Sequence, residues 1–277
     1  MTFRFIKFAV IAFVFGLACA ASVSAQSLPI HPELEGTSAF RPGEKLEYII
    51  HYKWLGIRMD VGTAKAELLN GGEKDGRPLY HSRVYGATYR FWDHFFKVRD
   101  LFESRFFGDT ISPSYFHRDI NEGGYKITNH HYWNYDEGVI NARVSYPSRR
   151  VDTALVGDCN TFDIVTLFYY SRNIDFDALE KGVNYPVKFT IDEELFDVYF
   201  RFIGREEVEV PTKGKFKAMK FAAKVIAGEV FKGDTEMIIW VSDDLNRVPL
   251  LFESAIRVGK VYGRLDKWEN LKYEFKR

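Results

Sequence analysis

The chain has 277 residues, long enough for one large domain or two small ones. Its 38 Lys and Arg balance 38 Asp and Glu, which excludes the basic stripe that nucleic acid requires and argues against electrostatic attachment to an anionic membrane. Aromatic residues make up 17% of the chain, a composition suited to sheet surfaces and large packed faces.

The N-terminus reads as a secretory leader. Arg4 and Lys7 precede an apolar run from Phe8 to Ala21, and Val23-Ser24-Ala25 offers a small-residue cleavage site. The uncharged run is shorter than the ~20 residues of a spanning helix, so cleavage after Ala25 is expected rather than a membrane anchor. "GLAC" also resembles a lipoprotein processing box ending at Cys19, although Gly16 suits its first position poorly. After cleavage only Cys159 remains, so no internal disulfide is available.

Residues 26–39, with two prolines and no periodicity, read as a tether to a single domain over 40–277. "KLEYIIHYKW" then alternates Leu46, Tyr48, Ile50, Tyr52 and Trp54 with mostly charged residues, the period of a half-buried strand. Further strands are expected over 62–70, 79–88 and 98–107, with "RFWDHFF" between the last two as an aromatic knot of about one helical turn.

"FHRDINEGGYK" concentrates polar side chains around two glycines. With Gly123-Gly124 as the two loop residues of a hairpin, Glu122 faces Tyr125, Ile120 faces Ile127, Arg118 faces Asn129 and Phe116 faces His131. That face is largely apolar and continues with Trp133 and Tyr135. The other face pairs Asn121 with Lys126, Asp119 with Thr128, His117 with His130 and Tyr115 with Tyr132, and should be wet. His117, Arg118, Asp119, Asn121, Glu122 and His130 are thus a candidate ligand-binding or merely structural polar cluster. Arg118 and Glu122 fall on the apolar side and call for partners, which they could be to each other. His117 with His130 would need a third zinc ligand, and Asp119 is the only neighbour, so no metal site is assigned.

"NTFDIVTLFYYSR" breaks the β rhythm. Asn160 is the expected N-cap, and Phe162, Val165, Phe168 and Tyr169 recur at helical spacing on a segment apolar nearly all round, hence one central buried helix. Cys159, just before it, has no neighbouring histidine and reads as a small structural thiol. Strands resume over 183–191, 196–210, 216–226, 235–242, 250–258 and 260–273. In "WVSDDLNRVP", Asp243 and Asp244 should bond turn amides and pair with Arg247, with Trp240 in the core. The sum is a mainly β chain, a large curved antiparallel sheet or half-barrel-like meander of about a dozen strands. No serine-hydrolase elbow, zinc-protease motif, P-loop or dinucleotide fingerprint appears, and no cofactor is assigned.

"FRPGEKLEYIIHY", "FFKVRDLFES", "RDINEGGYK", "YYSRN" and "WVSDDLNRVP", taken in order, resemble the exported bacterial family DUF3108, from Phe40 nearly to the C-terminus. The resemblance implies a periplasmic protein with a partly open, curved sheet, and it brings no catalytic residues. The Trp-to-Pro hairpin is also similar to that of half-barrel lipoprotein carriers of the Gram-negative envelope. The leading expectation is a non-catalytic module, not an integral membrane protein, binding an apolar or amphiphilic ligand or an envelope protein partner. One alternative is a hydrolase of envelope glycans using Asp119, Glu122 or His117. The other is an outer-membrane barrel, against which stand "TEMIIWV", apolar on both faces, and the interrupting helix.

Overall fold

The computed structural model describes residues 28–224, 236–256 and 259–277. The leader with Cys19 and Ala25, and the expected strand ends at Ile226, Thr235 and Val258, lie outside the described residues. The strands of the first half are β1 (Lys45–Trp54), β2 (Ile57–Lys74), β3 (Arg77–Thr88), β4 (Arg99–Phe107), β5 (Pro113–Glu122), β6 (Tyr125–Asn134), β7 (Val139–Ser145) and β8 (Arg150–Val156). After them come β9 (Thr161–Phe162), helix α1 (Ile164–Ser171), β10 (Asn184–Ile191), β11 (Glu194–Val210), β12 (Gly214–Lys224), β13 (Glu236–Ser242), β14 (Pro249–Ala255) and β15 (Lys260–Glu269).

All of them form one 15-stranded sheet, three strands more than the alternation pattern led us to expect. The additional ones are β7, β8 and the two-residue β9. In β7 the alternation is present, with Ile140, Ala142 and Val144 buried between polar residues, but the element is short. The sheet runs from β8 back to β1, continues into β15 and ends at β9. Its pairs are antiparallel except β9 with β10. The two edge strands do not pair with each other, so the sheet is open, unlike the closed sheet of an outer-membrane barrel. Bulges at Val61 in β2, Ile203 in β11 and Asp266 in β15 add local twist to the curl. β15 stops at Glu269 because Asn270 takes a left-handed backbone conformation, φ 55°.

Helix α1 lies inside the curl against β4 and β10. Eight residues are too few for a stable isolated helix, so burial of Val165, Leu167, Tyr169 and Tyr170 must hold it. Its N-cap is Asp163 rather than Asn160. The Asp163 carboxylate accepts the amides of Val165 and Thr166, each at 2.9 Å, and the hydroxyls of Ser104 at 3.0 Å and Thr166 at 2.7 Å. Asn160 instead donates its amide to Asp158, in the turn that sets up β9.

The segment read as a tether is docked onto the domain from Leu28 onward. Leu28, Leu34, Ala39 and Phe40 are buried, and the His31 amide donates to the Asn173 carbonyl at 2.9 Å. The apolar spacing there follows no period because Pro32–Leu34 form a 3-10 turn between irregular stretches. Phe40 meets Tyr169 edge-on at 4.7 Å and so ties this segment to the helix.

Candidate functional site

The Gly123-Gly124 hairpin has the expected register from Tyr115↔Tyr132 to Glu122↔Tyr125. Both glycines carry positive φ, 57° and 90°, as a primed two-residue turn requires. The faces sort accordingly: Phe116, Arg118, Ile120, Asn129, His131 and Trp133 point into the curl, while Asp119, Lys126 and Tyr132 are exposed on the outside. Tyr135, expected to extend the inner face, lies beyond the last β6 residue, where alternation lapses. It is partly exposed, and its hydroxyl donates to the Pro113 carbonyl.

The sequence-derived cluster is therefore split by the sheet. Outside, Glu103 on β4 is shared by His117 Nδ1 at 3.3 Å, His81 Nε2 at 3.4 Å and Arg83 Nε at 2.8 Å. The His117 and His130 rings stack with centroids 4.6 Å apart, and His130 Nδ1 lies 2.9 Å from the Tyr115 hydroxyl. Asp119 stands exposed beside them. Among the described residues no group of three His, Cys, Asp or Glu side chains is placed to hold a metal. The Asn121 amide donates at 3.1 Å to Asp100, whose carboxyl burial pushes above its ordinary range. Glu122, on the inner face, bridges through its backbone to Val98. Asp119 and His117 thus lie across the sheet from Glu122, which does not assemble the glycan-cleaving carboxylate pair considered above.

Arg118 takes a different partner from the Glu122 suggested by sequence. The tip of the β10–β11 hairpin reaches across the open side of the curl, and Asp192 there adopts φ 54°. Arg118 Nη2 donates to Asp192 Oδ1, Asn129 Nδ2 donates to the same oxygen at 2.9 Å, and His131 Nε2 donates to the Asp192 carbonyl at 2.8 Å. Next to it Glu193 accepts from the Tyr146 hydroxyl and from Arg149 at 2.6 Å. Two consecutive acidic residues thereby clasp the tip to β5, β6 and the β7–β8 turn, joining by side chains two parts of the sheet that no ladder joins. Arg118 Nε, Asn129 Oδ1 and His131 Nδ1 are buried without a hydrogen-bonding partner among the described residues.

Beneath this clasp lies a cavity of ≈ 660 Å³ between α1 and the inner face of β10–β13. Leu167, Phe168, Phe189, Val198, Phe200 and Ile239 supply much of its apolar wall. Its charged lining residues are Arg118, Asp192, Glu194 and Lys224. The volume falls inside the roughly 300–1,000 Å³ range of small-molecule sites. Period-two patterning marks which face of β10–β13 is apolar, but not that the sheet curls far enough from the helix to leave space.

Burial pushes the His131 imidazole down to about 4, so it is neutral at pH 7 with its proton on the nitrogen facing Asp192. An unfolded histidine protonates near 6.5, so this group's contribution to stability falls as pH drops from about 6.5 toward 4. Asp163, which burial pushes up to about 6, acts in the opposite sense over nearly the same interval. The His131 share is therefore the difference between wild type and His131→Gln. The variant should show a shallower acid-side loss of stability in denaturant titrations from pH 7 to pH 5; equal slopes would contradict a buried neutral imidazole.

The second dense motif is structural. Asp244 accepts the Ser242 hydroxyl at 2.8 Å and the amides of Asn246, Arg247 and Lys276 at 3.0, 3.1 and 3.0 Å. Asp243 pairs with Arg205 at 3.0 Å rather than with Arg247. Arg247 instead runs inward to the Ile174 carbonyl and lies 5.6 Å over the Phe176 ring. Trp240 is half-buried, packed against the edge of a core cluster rather than within it, and donates its indole proton to Glu206. Cys159 is free and exposed on the β8–β9 turn, which corrects its reading as a structural thiol.

A buried ion pair went unread in the sequence. Arg172, at the end of α1, meets Glu44 through two hydrogen bonds of 2.5 and 2.9 Å, each side chain only 1% exposed. It also donates to the Asn246 carbonyl from Nε at 3.1 Å and Nη2 at 2.8 Å. The available signal was an arginine closing an apolar helix that had to be buried.

An open antiparallel sheet curled around one helix, with an apolar cavity under a polar clasp, defines a half-barrel-like class of β protein. The chain belongs to the family "protein of unknown function, DUF3108", whose sequence model matches residues 47–266. The crystal structure of a beta-barrel-like DUF1849 protein from Brucella abortus is similar with a TM-score of 0.54 at 11% identity, covering 85% of this chain and 100% of that one. A Bacteroides fragilis protein with a YmcC-like fold aligns with a TM-score of 0.35 at 9% identity, over 84% of this chain and 99% of that one. No curated protein shows a significant match. No helix among the described residues is long and apolar enough to cross a membrane.

Proposed function

We propose that the protein is a non-catalytic module, exported to the periplasm after leader cleavage near Ala25, that takes the apolar chain of an amphiphile between α1 and β10–β13. The observation carrying this reading is the ≈ 660 Å³ cavity with mostly apolar walls and the charged Arg118–Asp192 pair on its lining. Apolar walls supply affinity in proportion to the area they remove from water, and a few charged groups set which end of the ligand stays near the clasp.

The test is titration of delipidated protein with an anthroyloxy fatty acid. Saturable binding is expected, and Ala223→Trp should weaken it about tenfold or more by filling the space, since Ala223 lines the cavity with little side chain of its own. Circular dichroism and thermal melting would confirm that the variant folds. Absence of probe binding to wild type, or equal binding by a folded Ala223→Trp, overturns the reading.

A further inference from the structure

The aromatic knot between β3 and β4 has no part in the cavity. In an antiparallel meander every second turn falls at the same end of the sheet. The β1–β2 turn, the β3–β4 loop and the β5–β6 turn therefore share one end, and the same alternation through β15 to β10 puts the β10–β11 turn that carries Asp192 at that end as well. Apolar side chains stand out there: Leu55 is 80% exposed, Ile57 62%, Phe91 65%, Phe95 71% and Phe96 53%.

They are not a frayed loop. Trp92 donates its indole proton to the Asp60 carbonyl at 2.8 Å, and the Tyr89 amide donates to the Val61 carbonyl at 2.9 Å, which staples the loop along β2. Phe91 and Phe95 pack on Trp92 at 5.1 and 5.8 Å. The Gly123 amide donates to the Lys97 carbonyl at 2.8 Å, which fixes the far side of the loop to the neighbouring hairpin. A rigid base thus holds greasy tips in water.

The charge around them is net positive. Lys53, Arg58, Arg90 and Lys97 are exposed, and none forms an ion pair with a described carboxylate. Of the acids close by, Asp93 is balanced by Arg99 at 2.7 Å, whereas Asp60 bonds at 2.5 Å to His51, an imidazole that burial keeps neutral, so Asp60 retains its charge and the basic residues outnumber it. Whole-chain neutrality does not cancel this local excess, because fields at a surface fade within about 10 Å at ~0.1 M salt.

We propose that this end of the sheet docks on an anionic phospholipid bilayer, with Leu55, Ile57, Phe91, Phe95 and Phe96 entering the boundary between headgroups and acyl chains and the four basic residues meeting lipid phosphates. Aromatic and aliphatic tips flanked by Lys and Arg are the composition of an interfacial anchor. A protein partner fits less well, since lysine is depleted at protein interfaces. The docking does not depend on what the cavity holds, but it would bring the clasped end of the cavity to the lipid surface.

The experiment is flotation of the protein with vesicles of equimolar phosphatidylglycerol and phosphatidylcholine, against phosphatidylcholine alone. Wild type should bind the anionic vesicles, less so at high salt, and the neutral ones weakly. Phe91→Ser/Phe95→Ser and Arg90→Glu/Lys97→Glu should each lower partitioning about tenfold or more. All share one N-terminus, so differences between them report on the loops alone. Hydrogen exchange on vesicles should slow within 53–58 and 89–97. Equal partitioning of folded variants, equal binding to neutral vesicles, or protection confined to other segments overturns the proposal. So does a wild-type dimer that these substitutions dissolve without any vesicle binding. Ala223→Trp should leave vesicle binding unchanged, which separates failure here from failure of the cavity reading.

Discussion

Glu44→Gln should be among the most destabilising single substitutions in the chain, costing about 3–5 kcal/mol and lowering the melting temperature by roughly 10 °C. The variant keeps the shape of the side chain and one good acceptor, so it removes little except charge. What remains is the Arg172 guanidinium, 1% exposed, wedged between the Phe40, Phe168 and Tyr169 rings with no anion to balance it. Desolvation of that cation is then uncompensated, and this is the largest cost when one partner of a buried pair is lost.

The pair also locates α1: Arg172 caps its C-terminal end, and the next two residues, Asn173 and Ile174, fasten the N-terminal segment. Glu44→Leu/Arg172→Met should recover part of the loss but not all of it, because the Asn246 carbonyl then loses two donors, worth about 1–3 kcal/mol if it stays buried. Chemical denaturation of wild type, Glu44→Gln and the double variant measures this. A Glu44→Gln effect below about 1 kcal/mol, or a double variant worse than the single, would refute the account.

How much was legible in the sequence depended on the separation of the interacting residues. The register of β5 with β6 was readable because two adjacent glycines permit the one tight turn that sorts Phe116, Ile120 and Trp133 to one side. The burial of α1 was readable because it has no polar face. Arg118 was recognisable as a charge in need of a partner, but Asp192 is 74 positions away on a turn that only the curl brings near. Glu44 and Arg172, 128 positions apart, are joined in the same manner. Glu103, which organises His81 and His117, lies one strand over from each of them, where neighbouring pairings would have had to be known first. Patterning assigns faces, and the cavity depends on the radius at which those faces close, which patterning does not set.

The clasp yields the second large effect. Asp192→Asn preserves the left-handed turn, which asparagine tolerates well, and leaves an amide oxygen near Arg118 and Asn129. It therefore isolates the missing charge. Arg118 is 9% exposed, so it cannot recover solvation without moving, whereas the Asp192 side chain is 31% exposed and can turn to water. The pair is thus asymmetric. Asp192→Asn should cost about 1–3 kcal/mol, discounted from the fully buried case by that partial exposure. Arg118→Met should cost less, because the carboxylate it abandons can hydrate while methionine fills the apolar space. Loosening the tip should also speed exchange of a fatty-acid probe from the cavity, with association and dissociation accelerated together, since the clasp bars passage rather than holding the ligand. Stopped-flow displacement alongside denaturant titration tests both halves. If Arg118→Met proved the more damaging of the two, or if exchange were unchanged in a destabilised Asp192→Asn, the hairpin tip would be a structural brace with no role at the cavity mouth.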